Sequence, residues 1–297
     1  VRIFIRKLTD METAHRDYST ISPTAKSLLL LKGITAIPYA KEAAQLMLAP
    51  QPYHVNTDNK DLSFWLRVVH FEDRYWSINQ LLEELPEKNV LELSSGFSFR
   101  GLETVKQPGY HYIDTDLPEV MAVKKEFVTA LQQQPPAGVL EVLPLNALDE
   151  EQFMERVNRF PEGPLVIVNE GLLMYLDDTE KEKLCSIIRR VLQQRGGYWI
   201  TADIYVKREA ATKEIKRDEQ WKAFYAQHQI HEKMFDSFEA AEIFFRKMGF
   251  VIEKAAARDH ARLTGLPHVV ENATEEQLHK MRQAGRIRAT WRLKLAE

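Results

Sequence analysis

Hydrophobic and polar positions along the chain fall into two textures that change near residue 89. Before it, apolar residues recur at helical spacing: Leu28 and Leu31, a run over 34–48, then Leu62, Trp65, Leu66, Val69, Trp76, Leu81, Leu82 and Leu85 up to Pro86. Such spacing makes a helix with one apolar stripe, and Gly33 and Pro38 punctuate it. After it, short apolar runs alternate with helical patterns. Val90-Leu91-Glu92-Leu93, Tyr110-His111-Tyr112-Ile113, Val139-Leu140-Glu141-Val142, Leu165-Val166-Ile167-Val168 and Tyr198-Trp199-Ile200 read as buried strands. Helix-like segments near 118–133, 149–158 and 177–195 lie between them. This alternation predicts an α/β fold with a parallel sheet and right-handed connections.

The tail breaks that rhythm. Residues 205–235 are polar and aromatic-rich and read as a helical insertion. An amphipathic helix over 238–248 stops at Gly249, and Phe250-Val251-Ile252 reads as a sixth strand. Ile287, Ala289, Trp291, Leu293 and Leu295 then alternate with Arg288, Thr290, Arg292 and Lys294, a period-two strand with one apolar face.

Composition narrows the class. A chain of 297 residues, 44% hydrophobic, can bury a core without staples. The single cysteine, Cys185, excludes a disulfide framework and a Cys-rich zinc site. Forty basic against 43 acidic residues leave a net charge of −3, which points to neither a nucleic acid nor an anionic membrane. Leu28-Leu29-Leu30-Leu31 falls far short of a ~20-residue span. Charge interrupts Val1-Arg2-Ile3-Phe4-Ile5-Arg6-Lys7 and spoils it as a signal-peptide core. The expectation is a soluble, cytoplasmic protein.

Ligands of open parallel sheets bind at the carboxyl ends of the strands. The first strand leads into Ser94-Ser95-Gly96-Phe97-Ser98-Phe99-Arg100-Gly101, a turn of small residues that lets a ligand approach the backbone. It lacks the G-x-G-x-x-G fingerprint of a nicotinamide dehydrogenase. The second strand leads into Asp114-Thr115-Asp116-Leu117-Pro118, acids placed either for ribose hydroxyls or for a helix N-terminus. Asn146, after the third strand, either meets a base edge or closes a turn. The fourth strand ends in Asn169-Glu170-Gly171-Leu172-Leu173-Met174-Tyr175-Leu176, where a carboxylate, a glycine and a tyrosine follow an apolar run.

These three motifs together resemble the leucine carboxyl methyltransferase family, which includes a protein phosphatase methyltransferase, a wybutosine-pathway methyltransferase and bacterial polyketide O-methyltransferases. The similarity runs over about 22–250. The resemblance implies a class I S-adenosylmethionine-dependent methyltransferase: a Rossmann-like, mostly parallel sheet with an antiparallel last strand. It implies one domain over 1–297, made of a helical cap (1–86), a cofactor-binding core (87–204), an insertion (205–235) and a sheet-completing segment (236–297). By position it puts the turn glycine on Gly96, the ribose acid on Asp116, the adenine contact on Asn146 and Ala147, and the acid near the methionine amino group on Glu170. Lys26 and Arg67 fall on the two basic residues that hold the methionine carboxylate. Asn146-Ala147 replaces the family's Asp-Leu, and Ser94 stands where glycine is usual; a serine fits there if its φ is negative.

The cofactor expected is S-adenosyl-L-methionine, without a metal, since no ligand-spaced cluster occurs. Its methyl group is already electrophilic, so a carboxylate acceptor needs no base, whereas a hydroxyl needs one nearby. None of the nine histidines sits in an evident dyad at a strand end, and His54, His70 and His111 read as surface or core. The expectation is therefore an O-methyltransferase acting on a carboxyl or acidic hydroxyl of a small molecule, with Tyr175 orienting the acceptor. Trp221, Phe224, Tyr225 and Phe235 are lining or packing residues. Rival readings are a wybutosine-type RNA carboxyl methyltransferase and a non-catalytic S-adenosylmethionine-binding module.

Overall fold

A computed structural model describes residues 22–55, 57–58, 60–207, 226, 228–283 and 285–297. Three helices come first: α1 (Ser22–Lys32), α2 (Ala40–Leu48) and α3 (Leu62–Glu83). Asp61 starts α3 by accepting from the Phe64 amide, and one face of the helix is buried from Trp65 to Leu82. Then follow β1 (Asn89–Leu93), α4 (Arg100–Thr104), β2 (His111–Asp116), α5 (Pro118–Leu131), β3 (Val139–Pro144), α6 (Glu150–Val157), β4 (Leu165–Asn169), α7 (Asp178–Arg195) and β5 (Gly197–Tyr205). The chain ends with α8 (Phe238–Lys247), β6 (Phe250–Ala255), α9 (Leu266–Asn272), α10 (Glu275–Gln283) and β7 (Arg288–Leu295).

The seven strands form one sheet in the order β3-β2-β1-β4-β5-β7-β6. β1 to β5 pair in parallel, and β7 inserts antiparallel between β5 and β6. The order reverses between β1 and β4, so their carboxyl ends open a crevice. β1 and β4 are buried at every position, which explains their unbroken apolar runs. Helices α6 and α7 with Trp199, Phe245 and Phe250 close one face; α3 packs Ile78, Leu81 and Leu82 on Val90, Val166, Val168 and Ile200 of the other. The helices from 266 to 283 lie outside every element the periodicity picked out. Their exposed, charged sequence, with only Val269 buried, carries little apolar signal. No described helix is long and apolar enough to cross a membrane.

Candidate active site

A cleft opens at the crevice, where ligands of such sheets bind. Its walls bring together Gly96, Asp116, Asn146, Ala147, Glu170 and Tyr175, residues from four separate strand ends. The Ser94–Gly96 turn forms the floor. Ser94 and Gly96 both have φ 50, so the serine does not adopt the negative φ expected of it. A left-handed non-glycine residue costs about 1–2 kcal/mol, and here the turn imposes it. Gly96 N–H donates to Asp116 Oδ2 and Leu117 N–H to Oδ1, each at 2.7 Å, which binds the first and second strand ends into one ledge. Burial raises the Asp116 carboxyl above its ordinary range, against these two amides. Asp114 lies elsewhere. It is buried beneath the turn, 3.1 Å from Lys124 Nζ, which also donates to Ser95 Oγ at 2.8 Å. Asn146 closes its turn by accepting from the Leu148 amide at 3.0 Å and also lines the cleft.

Glu170 is the electrostatic centre. Lys32 Nζ lies 2.6 Å from Oε1, Arg100 Nη2 3.0 Å from Oε2, and Arg74 Nε 3.6 Å from Oε1. Burial alone would raise this carboxyl, but the three cations hold it at about 2. Lys32 behaves oppositely. Burial, with Arg74 and Arg100 nearby, lowers its pKa despite Glu170. The two shifts have one cause: three cations crowd one carboxylate. Glu92 takes part of the Arg100 charge at 3.3 Å, and Asp203 draws on Arg74, so three cations and three acids share this corner. Gly171 permits the crowding. Its φ is 84, and a Cβ there would stand 2.6 Å from Arg74 Nη2.

The basic residues in the walls are thus Lys32 and Arg74, not Lys26 and Arg67. Lys26 is exposed and lies six residues before Lys32, about 120° around the helix. Arg67 shares the Arg74 stripe but sits seven residues earlier, about 10 Å along the axis. The signals were present: Lys32 ends an apolar run, and Arg74 interrupts a buried stripe between Phe71 and Tyr75. Arg100 carried one too, as a cation in the first turn of a helix, against the dipole. Asp203 was invisible to local reading. A register shift in β5 between Thr201 and Ile204 accompanies its turn toward the loop after β4. There it accepts from the amides of Gly171, Leu172 and Leu173 at 2.7, 2.6 and 3.1 Å and from Asn169 Nδ2 at 2.7 Å.

Tyr175 ends a 3₁₀ turn, Leu173–Tyr175, and clusters with Met174, Tyr205 and Ile230. Its carbonyl accepts from Lys233 Nζ at 2.9 Å. Of the two roles open to Phe235 the structure shows packing: it lies against Phe244 and Phe245 of the core and is not in the cleft wall. Trp221, Phe224 and Tyr225 lie outside the described residues. His70 is half-buried on α3, with Nε2 2.8 Å from the hydroxyl of Tyr205, the last residue of β5.

Comparison with known proteins agrees with this architecture. A DUF574 family protein from Streptomyces avermitilis superimposes with a TM-score of 0.56 at 13% identity, covering 92% of this chain and 97% of that one. Magnesium protoporphyrin IX methyltransferase from Synechocystis, with bound SAH, gives 0.46 at 9% identity over 82% and 89% of the two chains. OxaC in complex with sinefungin and meleagrin gives 0.43 at 12% identity; 72% of this chain matches 44% of that longer one, so this chain spans less than half of it. No curated protein matches the chain. Residues 21–189, more than half of the chain, match the leucine carboxyl methyltransferase family. With the sheet order of a class I methyltransferase and the motifs of three strand ends gathered in one cleft, the chain belongs to the leucine carboxyl methyltransferase family.

Proposed function

We propose that the chain is an S-adenosylmethionine-dependent O-methyltransferase acting on a carboxyl or acidic hydroxyl group of a small molecule. The observation that carries this reading is the placement of Lys32 and Arg74 beside Glu170 in one cleft wall. Two cations that share one carboxylate there keep donors for a second anion. An amino-acid carboxylate supplies that anion, and Glu170 the complement of the adjacent amino group. Asp116, at the far end of the ledge, has its carboxylate oriented by two amides and accepts from a ribose diol. Leu117, Val120, Leu145, Ala147 and Leu148 give that end an apolar wall suited to a base. Cation, anion, acid and apolar wall follow the order of groups along S-adenosylmethionine.

When bound, this cofactor supplies a methyl group activated by its sulfonium. The protein aligns and desolvates: Lys32 and Arg74 fix the amino-acid end, Asp116 fixes the ribose, and Tyr175 borders the space where an acceptor enters. The test is calorimetric titration with S-adenosylhomocysteine in chelator, then mass spectrometry of a metabolite extract incubated with methyl-labelled cofactor. Binding with labelled small-molecule products is expected. Absence of binding, or binding only after a divalent ion is restored, overturns the reading.

A further inference from the structure

Outside the cleft, the carboxyl edge of the sheet carries a second concentration of charge. β7 runs antiparallel to both β5 and β6, so β6 leaves the sheet on the edge where the cleft opens. A groove lies there between three segments. α3 supplies Asp73 and Ser77, the residues after β6 supply Arg258, and the entry to β7 supplies Arg286, Arg288 and Thr290. Among the described residues it shares none with the cleft wall. Arg74 follows Asp73 on α3 and is turned from it by about 100°, so the helix stands between the two sites.

The floor of the groove is fixed. Arg288, Thr290 and Ser77 are all buried. Arg288 Nη1 donates to Thr290 Oγ1 at 2.7 Å and to the Ala202 carbonyl at 3.3 Å, and Nη2 pairs with Asp73. Ser77 Oγ donates to the Arg74 carbonyl at 3.0 Å, which leaves Thr290 to donate to Ser77 Oγ at 2.7 Å. This chain orients the Arg288 guanidinium and spends three of its five donors. The other two arginines are nearly unspent. Arg286 is exposed and makes one long hydrogen bond, to the Ala256 carbonyl at 3.4 Å. Arg258 is exposed and has no hydrogen bond or ion pair among the described residues. Acids close by in sequence have other partners: Glu253 pairs with Arg292, and Asp259 with Arg262 at 3.3 Å. Three guanidinium groups thus share one carboxylate, Asp73, in a chain of net charge −3, so the positive excess is local.

We propose that this groove is a second binding site, for a phosphate monoester carried by a small molecule. A guanidinium is a planar fork that matches two oxygens of one anion. A carboxylate has two oxygens and one charge, so it satisfies one fork and leaves the other bare. A phosphate monoester has three free oxygens and a charge of about −2 at pH 8. It meets Arg258 and Arg286 together and leaves an oxygen for the donors that Arg288 has unspent. The site stands independently of the methyl-transfer reading.

The experiment titrates the full chain with phenyl phosphate by calorimetry at about pH 8 and constant ionic strength, with inorganic phosphate and acetate in parallel. Saturable binding of phenyl phosphate with a Kd of about 1 mM or below is expected, and acetate about tenfold weaker or more. Replacing the two exposed arginines together, Arg258→Gln with Arg286→Gln, should weaken phenyl phosphate by about tenfold to a hundredfold, whereas Lys32→Met should leave it unchanged. In the wild type, the side-chain ¹⁵N signals of Arg258 and Arg286 should move together and saturate with the calorimetric curve, a readout that needs no variant to fold. No saturation, arginine signals that stay still, or an affinity kept by the double variant overturns the site. Loss of binding in Lys32→Met instead puts the phosphate in the cleft and overturns it too. Inorganic phosphate about tenfold tighter than the ester would make the groove a free-ion site and refute the ester. None of these outcomes bears on methyl transfer, and failure to bind S-adenosylhomocysteine would leave the groove as it stands.

Discussion

Lys32→Met separates ligand binding from folding. Lys32 Nζ is 2.6 Å from Glu170, which on its face is a strong buried ion pair. Breaking such a pair by removing one partner typically costs about 3–5 kcal/mol, because the other charge is left alone. Glu170 is not left alone: Arg100 stays at 3.0 Å and Arg74 at 3.6 Å. Burial and two guanidinium groups lower the Lys32 pKa against the pull of Glu170, so the pair carries a penalty beside its gain. Gain and penalty nearly cancel, so Lys32→Met should change stability by no more than about 1 kcal/mol, or ~3 °C in melting temperature. A ligand carboxylate, in contrast, loses a charge-assisted hydrogen bond, about 1.5–3 kcal/mol or tenfold to a hundredfold in affinity. Calorimetry should show that loss for S-adenosylhomocysteine and little change for methylthioadenosine, which has no carboxylate. Equal losses for both ligands, or a drop of several kcal/mol in stability with ligand affinity untouched, would refute the reasoning and leave Lys32 a structural ion pair.

Four further outcomes follow from the same geometry. Asp116→Ala should weaken S-adenosylhomocysteine and methylthioadenosine alike by about tenfold to a hundredfold, since both carry the ribose; Asp114→Ala should instead destabilise the fold by about 3–5 kcal/mol by stranding buried Lys124. Ser94→Gly should raise the melting temperature by a few degrees at most, the relief of a left-handed serine exceeding the added freedom of glycine by about 0.5–1 kcal/mol. Asp203→Asn loses a charged acceptor of three amides and should cost about 2–3 kcal/mol with a parallel loss of ligand affinity; a stable variant with normal binding would show that the loop after β4 holds itself. Glu170 has a folded pKa near 2, below its ordinary 4.5, so its stabilisation is present above pH 4.5 and is lost as pH falls toward 2; unfolding in that window should take up a proton that Glu170→Gln does not, read as a steeper fall of stability with pH.

What the sequence determined by itself was everything local. Strand runs, the turn after β1 and the acids at the ends of β2 and β4 each occupy a few consecutive residues, and hydrophobic period with turn chemistry identifies them. Gly96, Asp116 and Glu170 were legible for that reason. Helical period also told which stripe of α3 faces inward, but a period repeats: it does not say which turn reaches the cleft, so Arg67 and Arg74 read alike, while Lys26, on another face of α1 from Lys32, was placed by the family resemblance alone. Depth along a helix is decided by how it lies on the sheet. Only the tertiary structure placed Lys32 against Glu170 across 138 residues, Arg100 across 70, and Asp203 beneath the Glu170 loop across 32. It likewise made a pair of His70 and Tyr205, 135 residues apart, each of which alone reads as ordinary core. The charge balance of a buried site is a sum over such distant partners, and a sum over partners exists only once the chain has folded.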